Sequence, residues 1–132
     1  SHVIAALIKR FFEAKKKGLK KITIWGGGTA TRDFCFVDDI AEGIALAAEK
    51  YDSSSPLNLA SGKENTIKEM ALIIKKKIKY EGDIVWDTKK PTGPKRRYVN
   101  IDKAKKLIGY KVSTSLEEGL EKTIKWYKDN NN

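Results

Sequence analysis

Residues 25–39 read WGGGTATRDFCFVDD, and this stretch carries the strongest signals for both the fold and the site. A triple-glycine turn follows Trp25, a single arginine, Arg32, comes soon after it, and two aspartates then open an apolar segment. A glycine turn can admit a phosphate, and the planar guanidinium of arginine can bind a phosphate through two parallel hydrogen bonds. The stretch therefore indicates either a phosphate site or, as the plainer alternative, a tight hairpin turn.

Hydrophobic periodicity predicts the elements on both sides of this stretch. Residues 3–17 have apolar side chains at helical spacing and end at Gly18, which favours a helix with a glycine at its end. The other elements expected, in chain order, are strands at 22–25, 33–37, 57–60 and 84–86, and helices beginning at Asp38 or Asp39, Thr66, Asp102 and Ser115. Alternation of these elements predicts an α/β fold of mixed α+β character, with short strands and about five helices.

The double aspartate has two interpretations. Asp38 or Asp39 could cap the helix that follows, which is the ordinary chemistry of a carboxylate at a helix start, or the pair could serve as a general acid or a metal site. The capping interpretation is the simpler one, and it predicts that Ile40 and Ile44 face the core. Cys35, in the strand expected before the helix, fits a small buried apolar position.

The chain is strongly basic, with a net charge of +10 from 27 Lys and Arg against 17 Asp and Glu. Lysine clusters such as Lys15–Lys17 and Lys75–Lys77 lie beside predicted helices and are typical of solvated faces. A basic nucleic-acid-binding module is the functional alternative. It is disfavoured because no aromatic, glycine or arginine repeat accompanies the lysines.

Composition also limits the class of protein. The 132 residues and 14.9 kDa suit one domain or part of a larger one. A single Cys and a single His exclude a disulfide framework, and no metal site is expected. No apolar run approaches the roughly 20 residues that span a bilayer, and the start lacks a secretory signal. These features predict a soluble, cytoplasmic protein with no membrane partner.

A second basic element strengthens the phosphate interpretation. The segment from Lys89 to Arg97 is rich in Lys, Pro and Gly and is expected to be an exposed loop. It could converge with Arg32 on one diphosphate, with Arg10 as a third contributor from the first helix. Trp25, beside the glycines, could stack on a base or fill the core.

Five motifs, taken in order and spacing, carry a family resemblance. They are SHVIAALIKRF (1–11), TIWGGGTATRDFCFVDDIAEGI (23–44), PLNLASG (56–62), GDIVWDTKKPTGPKRR (82–97) and TSLEEGLEKTIKWY (114–127). Together they resemble the C-terminal, substrate-binding half of extended short-chain dehydrogenases/reductases of the NAD-dependent epimerase/dehydratase family. Within that family they look most like the GDP-L-fucose synthases.

The resemblance implies a partial enzyme. Residues 1–132 would form a single partial domain, the nucleotide-sugar-binding C-terminal region, without the N-terminal Rossmann core that holds the cofactor. The family enzymes epimerise GDP-4-keto-6-deoxy-mannose beside its ketone and reduce it with NADPH to GDP-L-fucose. Their cofactor glycine motif, Tyr-x-x-x-Lys machinery and Cys base precede the equivalent of Ser1. NADP is therefore expected in the intact family enzyme but not on this chain, which alone is expected to be inactive.

The resemblance also implies a set of site residues. His2 matches the acid that returns a proton during epimerisation. The residues that match the substrate-binding positions are Arg10, Trp25, Arg32, Lys90 and, as a phosphate neighbour, Arg96. The expected ligand is a GDP-sugar or another nucleoside-diphosphate sugar, and a related UDP- or dTDP-sugar epimerase or dehydratase stays open. Surfaces at 36–62 and on the last helix would lack the cofactor lobe, which predicts self-association or a swapped arrangement.

Overall fold

The computed structural model describes residues 2–91 and 93–131, apart from the side chain of His2. Its elements are α1 (His2–Lys17), β1 (Lys21–Trp25), β2 (Thr31–Arg32), α2 (Val37–Lys50), β3 (Asn65–Thr66), α3 (Ile67–Ile78), β4 (Asp83–Asp87), α4 (Asp102–Ile108) and α5 (Leu116–Asn130). Five helices and four short strands in this part of the chain confirm the predicted α/β class of mixed character.

The strands form two small sheets in the described residues. β1 pairs in parallel with β4, so that Trp25 lies opposite Asp87, and β2 pairs antiparallel with β3. After β1 the backbone N–H of Gly26 donates to the carbonyl of Asp87 at 2.8 Å. The hairpin alternative for the glycines is therefore wrong, because the triple-glycine turn leads from one sheet to the other.

Gly28 is required by close packing. Its φ is +78°, and a Cβ at this position would lie 2.9 Å from Cβ of Lys68 and 3.0 Å from the ring of Trp86. The backbone N–H of Lys68 also donates to the carbonyl of Gly28 at 2.9 Å. The glycine therefore lets the start of α3 and the side of β4 approach the turn.

Most of the core lies between three helices and β1. Helices α1, α3 and α5 contribute its largest fully buried side chains, among them Ile4, Ile8, Phe11, Met70, Ile74 and Leu120. A smaller cluster around Ala104 and Tyr110 packs beneath α2 and α4. Two predicted caps are confirmed, because the hydroxyls of Thr66 and Ser115 accept from the N–H groups of Glu69 and Glu118.

Two predicted strands are absent from the described residues. Residues 33–36 and 57–60 have no regular strand structure. The carboxylate of Asp33 accepts hydrogen bonds from the N–H groups of Ser61 at 2.9 Å and Gly62 at 3.0 Å. Segment 33–36 is therefore held to residues 61–62 by the Asp33 side chain and not by a β-ladder.

The capping interpretation of the double aspartate is wrong. Phe36 is the N-cap of α2, and in the described residues the N–H groups of the first turn receive no capping hydrogen bond from a side chain. Asp39 is 2% exposed, and its two oxygens accept from the N–H groups of Ser113 and Thr114, each at 3.0 Å. Its carboxylate therefore fastens α2 to the segment before α5.

Candidate functional site

An open pocket of about 460 Å³ lies beside the triple-glycine turn, within the usual size range of small-molecule sites. Its apolar floor comes from α1, β1 and the start of α3, with Leu7, Ile24 and Ile67. Its polar groups come from Arg10 and Arg32. The pocket therefore combines an apolar base with two guanidinium groups.

Arg10 and Trp25 lie on one side of this pocket. Arg10 is on α1, and its Nη2 donates to the carbonyl of Thr23 in β1, which fixes the guanidinium against the strand. Trp25 ends β1 and is 59% exposed. The core-filling alternative for Trp25 is therefore wrong, and its indole is accessible to a planar ligand.

Arg32 joins the pocket to the basic loop, which we define as residues 88–91 and 93–97. The side chain is 7% exposed, and Nη1 donates to the carbonyls of Pro94 at 2.7 Å and Thr31 at 2.6 Å. In the same loop Pro91 lines the pocket, and Nζ of Lys90 lies 5.9 Å from the ring centroid of Trp25. The structure thus brings Arg32 and the basic loop together, as the sequence predicts.

Arg96 is placed differently from the other candidates. It does not line the pocket, and its Nε donates to Oε1 of Glu64 at 2.6 Å, with Nη2 paired to the same carboxylate. The hydrogen bond from Arg96 holds the pKa of the Glu64 carboxyl below its usual value. Arg96 thus belongs to the basic loop beside the pocket without lining the pocket itself.

The side chain of His2, the predicted acid, is outside the part of the chain that the structure describes. It begins α1 directly before Val3, which lines the pocket together with Ala6 and Leu7. Its role therefore remains a prediction.

Glu64 and Thr31 were not singled out by the sequence. The hydroxyl of Thr31 donates to Oε2 of Glu64 at 2.9 Å, and Thr31 also bonds to the loop through its backbone. Glu64 lies between two of the motifs, and Thr31 lies inside the 23–44 motif without any feature of its own that marks it.

Other candidate chemistry receives no support from the described residues. Cys35 is half-buried, away from the pocket, and burial raises the pKa of its thiol. Residues 2–91 and 93–131 contain no group of three His, Cys, Asp or Glu that could hold a metal ion. Among the helices of the same residues, none has both the length and the apolar character needed to cross a bilayer.

A second surface is apolar and exposed. We call it the apolar face. Phe34, Phe36, Val37 and Trp126 line one open pocket there, and Ile44 lies two turns after Val37 on the same side of α2. Trp126 is 64% exposed, and Ile44, which the periodicity placed in the core, is also exposed. The inward orientation predicted for Ile44 is therefore wrong, because the apolar side of α2 is uncovered there.

Comparison with known proteins tests the family resemblance. Residues 1–60 match the family model described as the NAD dependent epimerase/dehydratase family. Over 130 residues, 98% of this chain, it is 39% identical to "Probable GDP-L-fucose synthase 1" of Oryza sativa subsp. japonica. The chain belongs to the NAD-dependent epimerase/dehydratase family. As a member of that family it spans only 39% of the length of this curated relative.

Solved structures agree with this family assignment. The chain is similar to a GDP-L-fucose synthetase from Naegleria fowleri, with a TM-score of 0.91 and 25% sequence identity. The match covers 98% of this epimerase/dehydratase chain and 40% of the synthetase chain. A second structure of the Naegleria fowleri synthetase, bound to NADP, has the same fold with a TM-score of 0.90 at 24% identity over 98% and 41% of the two chains.

Proposed function

We propose that this chain is the nucleotide-sugar-binding part of an NADP-dependent epimerase/reductase that converts GDP-4-keto-6-deoxy-mannose to GDP-L-fucose. One observation carries the proposal: Arg10, Trp25, Arg32 and the basic loop meet at one pocket. The relative named as a probable GDP-L-fucose synthase supports this choice of substrate within the family.

The pocket offers a distinct group for each part of a nucleoside-diphosphate sugar. Trp25 supplies an exposed aromatic face for the base, and Lys90 lies beside it. The guanidinium groups of Arg10 and Arg32 line the pocket where a diphosphate would be held by charge-assisted hydrogen bonds. Arg96 supports the phosphates indirectly by fixing the loop through Glu64.

His2 is the proposed acid of the epimerisation. In that step a base removes a proton from the carbon beside the ketone, and an acid returns a proton to the opposite face of the same carbon. His2 would perform the return from the start of α1. The base would come from the part of the enzyme that this chain does not span.

The described residues do not fit a binding site for NADP, which would supply the hydride for the reduction. A dinucleotide is held where a glycine turn runs from a strand directly into a helix, whose N-terminus faces the pyrophosphate. Here the triple-glycine turn leads from β1 to β2, and no helix begins there. We therefore propose that NADP binds to the remaining part of the enzyme.

Calorimetric titration of the chain with GDP, GMP, UDP and NADPH tests the proposal. We expect GDP to bind, GMP to bind about tenfold or more weakly because one charge-assisted phosphate contact is worth ~1.5 kcal/mol or more, and NADPH not to bind. If UDP binds as tightly as GDP, the result would support the alternative that the substrate is a UDP-sugar. Binding to oligonucleotides that collapses with salt, without binding to GDP, would support the nucleic-acid module instead.

We propose that the apolar face packs against the remaining part of the enzyme. When the chain is produced alone, the same face is expected to drive self-association, because large exposed apolar patches are costly in water. The double variant Val37→Ser with Trp126→Ser should lower the average mass measured by light scattering towards that of a monomer.

Trp25→Ser is the matched control for this prediction. It removes an equally exposed tryptophan that lies outside the apolar face, and it should leave the mass unchanged. A wild-type chain that stays monomeric over the whole concentration range would rule out self-association through this surface.

A further inference from the structure

The basic loop forms one wall of the pocket and is held at both of its ends. At its start the backbone N–H groups of Lys89 and Lys90 donate to Asp87, at the end of β4. In its middle Pro91 lines the pocket. The position of this wall therefore depends on what holds the far end of the loop.

Glu64 holds the far end. One carboxylate oxygen accepts from Nε of Arg96 at 2.6 Å, and the other accepts from the hydroxyl of Thr31 at 2.9 Å. The side chain of Glu64 is 25% exposed, against 69% for Arg96, so the carboxylate is the more enclosed partner. The side chain of Glu64 thus connects Arg96 in the loop to Thr31 in β2.

The bond to Glu64 also orients Thr31. A hydroxyl has one hydrogen to donate, and donation to Glu64 turns its lone pairs towards other donors. The backbone N–H of Arg97 donates to this hydroxyl oxygen at 3.4 Å, and the backbone N–H of Thr31 donates to the carbonyl of Lys95 at 2.8 Å. The carboxylate therefore supports two attachments of the loop, the one at Arg96 and the one at Arg97, while the bond to the carbonyl of Lys95 joins backbone groups only.

We propose that Glu64 is a positioning residue of the nucleotide-sugar site: it latches the far end of the basic loop to β2, so that Lys90 and Pro91 stay at the pocket. This role rests on the proposed function, since the ligand is the GDP-sugar assigned there. Glu64 does not line the pocket, so the proposed role needs no contact between Glu64 and the ligand. It acts through Arg96 and Thr31.

Limited digestion of Glu64→Gln with trypsin tests the latch without any ligand. The far end of the loop offers three cleavage sites, after Lys95, Arg96 and Arg97. At the start of the loop the bond after Lys89 can also be cleaved, whereas the bond after Lys90 is protected by Pro91. Cleavage at the three sites should be about two- to fivefold faster in the variant, the range expected for loss of a partly exposed ion pair. Glu42→Gln, with the same charge change at an exposed position of α2, should be cleaved at the wild-type rate.

Titration of the same variants with GDP tests the positioning role. Glu64→Gln should raise the dissociation constant by about two- to fivefold, in step with the faster cleavage. Arg96→Gln should do the same, and the double variant should add little to either single change, because both remove one interaction. Circular dichroism spectra that match the wild type verify that the variants are folded.

The outcomes separate this inference from the proposed function. Unchanged cleavage of Glu64→Gln at the three far-end sites, together with unchanged cleavage of Arg96→Gln after Lys95 and Arg97, overturns the latch. Faster cleavage with unchanged affinity for GDP overturns the positioning role. If the wild-type chain binds no GDP while the variants are cleaved faster, the latch is supported, and it is the proposed function and the positioning role built on it that fail.

Discussion

Asp39→Asn should lower the free energy of unfolding by about 2–4 kcal/mol, because each of its two buried charge-assisted hydrogen bonds is worth ~1.5–3 kcal/mol. The carboxylate receives the N–H groups of Ser113 and Thr114 on its two oxygens. An asparagine keeps one acceptor and places an NH₂ group against the other N–H donor. Urea unfolding followed by circular dichroism measures the change.

Asp38→Asn provides the control, since it makes the same chemical change one residue away. Asp38 is exposed on the first turn of α2, so the free energy of unfolding should change by no more than about 0.5 kcal/mol. Equal losses in the two variants would mean that interaction with the helix dipole, and not the contact with residues 113–114, is what both aspartates provide.

Arg32→Lys should raise the dissociation constant for GDP by about 10- to 100-fold, which corresponds to ~1.4–2.8 kcal/mol. Lysine keeps the charge but has no planar fork, so it cannot reproduce the hydrogen bonds of Nη1 to Pro94 and Thr31 while it faces the pocket. The proposed phosphate contact and the support of the basic loop would be lost together. Isothermal titration calorimetry measures the affinity.

Lys16→Ala separates a specific site from general attraction. This substitution removes a whole charge from the exposed end of α1, yet it should change the affinity for GDP by less than about twofold, as expected for a screened surface charge. If Lys16→Ala weakens binding while Arg32→Lys does not, diffuse positive charge attracts the nucleotide.

Local patterns were sufficient for most of the helices. The caps at Thr66 and Ser115 involve residues three positions apart, so the sequence contains both partners of each hydrogen bond. The αL conformation of Gly109, at the end of α4, is likewise a local property of glycine. Periodicity in α1 was also reliable, because its buried face packs on α3 within this chain.

Long-range partners explain the errors. Asp39 was expected to cap its own helix, but its partners are Ser113 and Thr114, which only the fold brings near. The glycines resembled a hairpin because the parallel partner of β1 is β4, much later in the chain. Ile44 follows a core pattern, yet it is exposed where the apolar face is uncovered.

The candidate site was predicted both from residue chemistry and from family resemblance. The chemistry of the residues singled out Arg32, Arg10, Trp25 and the basic loop, and position matching then selected Lys90 within that loop. The structure places these groups around one pocket. Glu64 escaped notice because its partners, Thr31 and Arg96, come from two separate segments. A lone glutamate before a capping threonine carries no signal of such a contact.

The crowding around Gly28 means that the glycines of the turn differ in which substitutions they can accept. At Gly27 a methyl group would lie 3.8 Å from Cγ2 of Thr88, an ordinary van der Waals contact, so alanine fits there without a clash. At Gly28 the same methyl would collide with Lys68 and Trp86. Homologous sequences should therefore vary at the middle glycine, while the third stays fixed for steric reasons unrelated to ligand recognition.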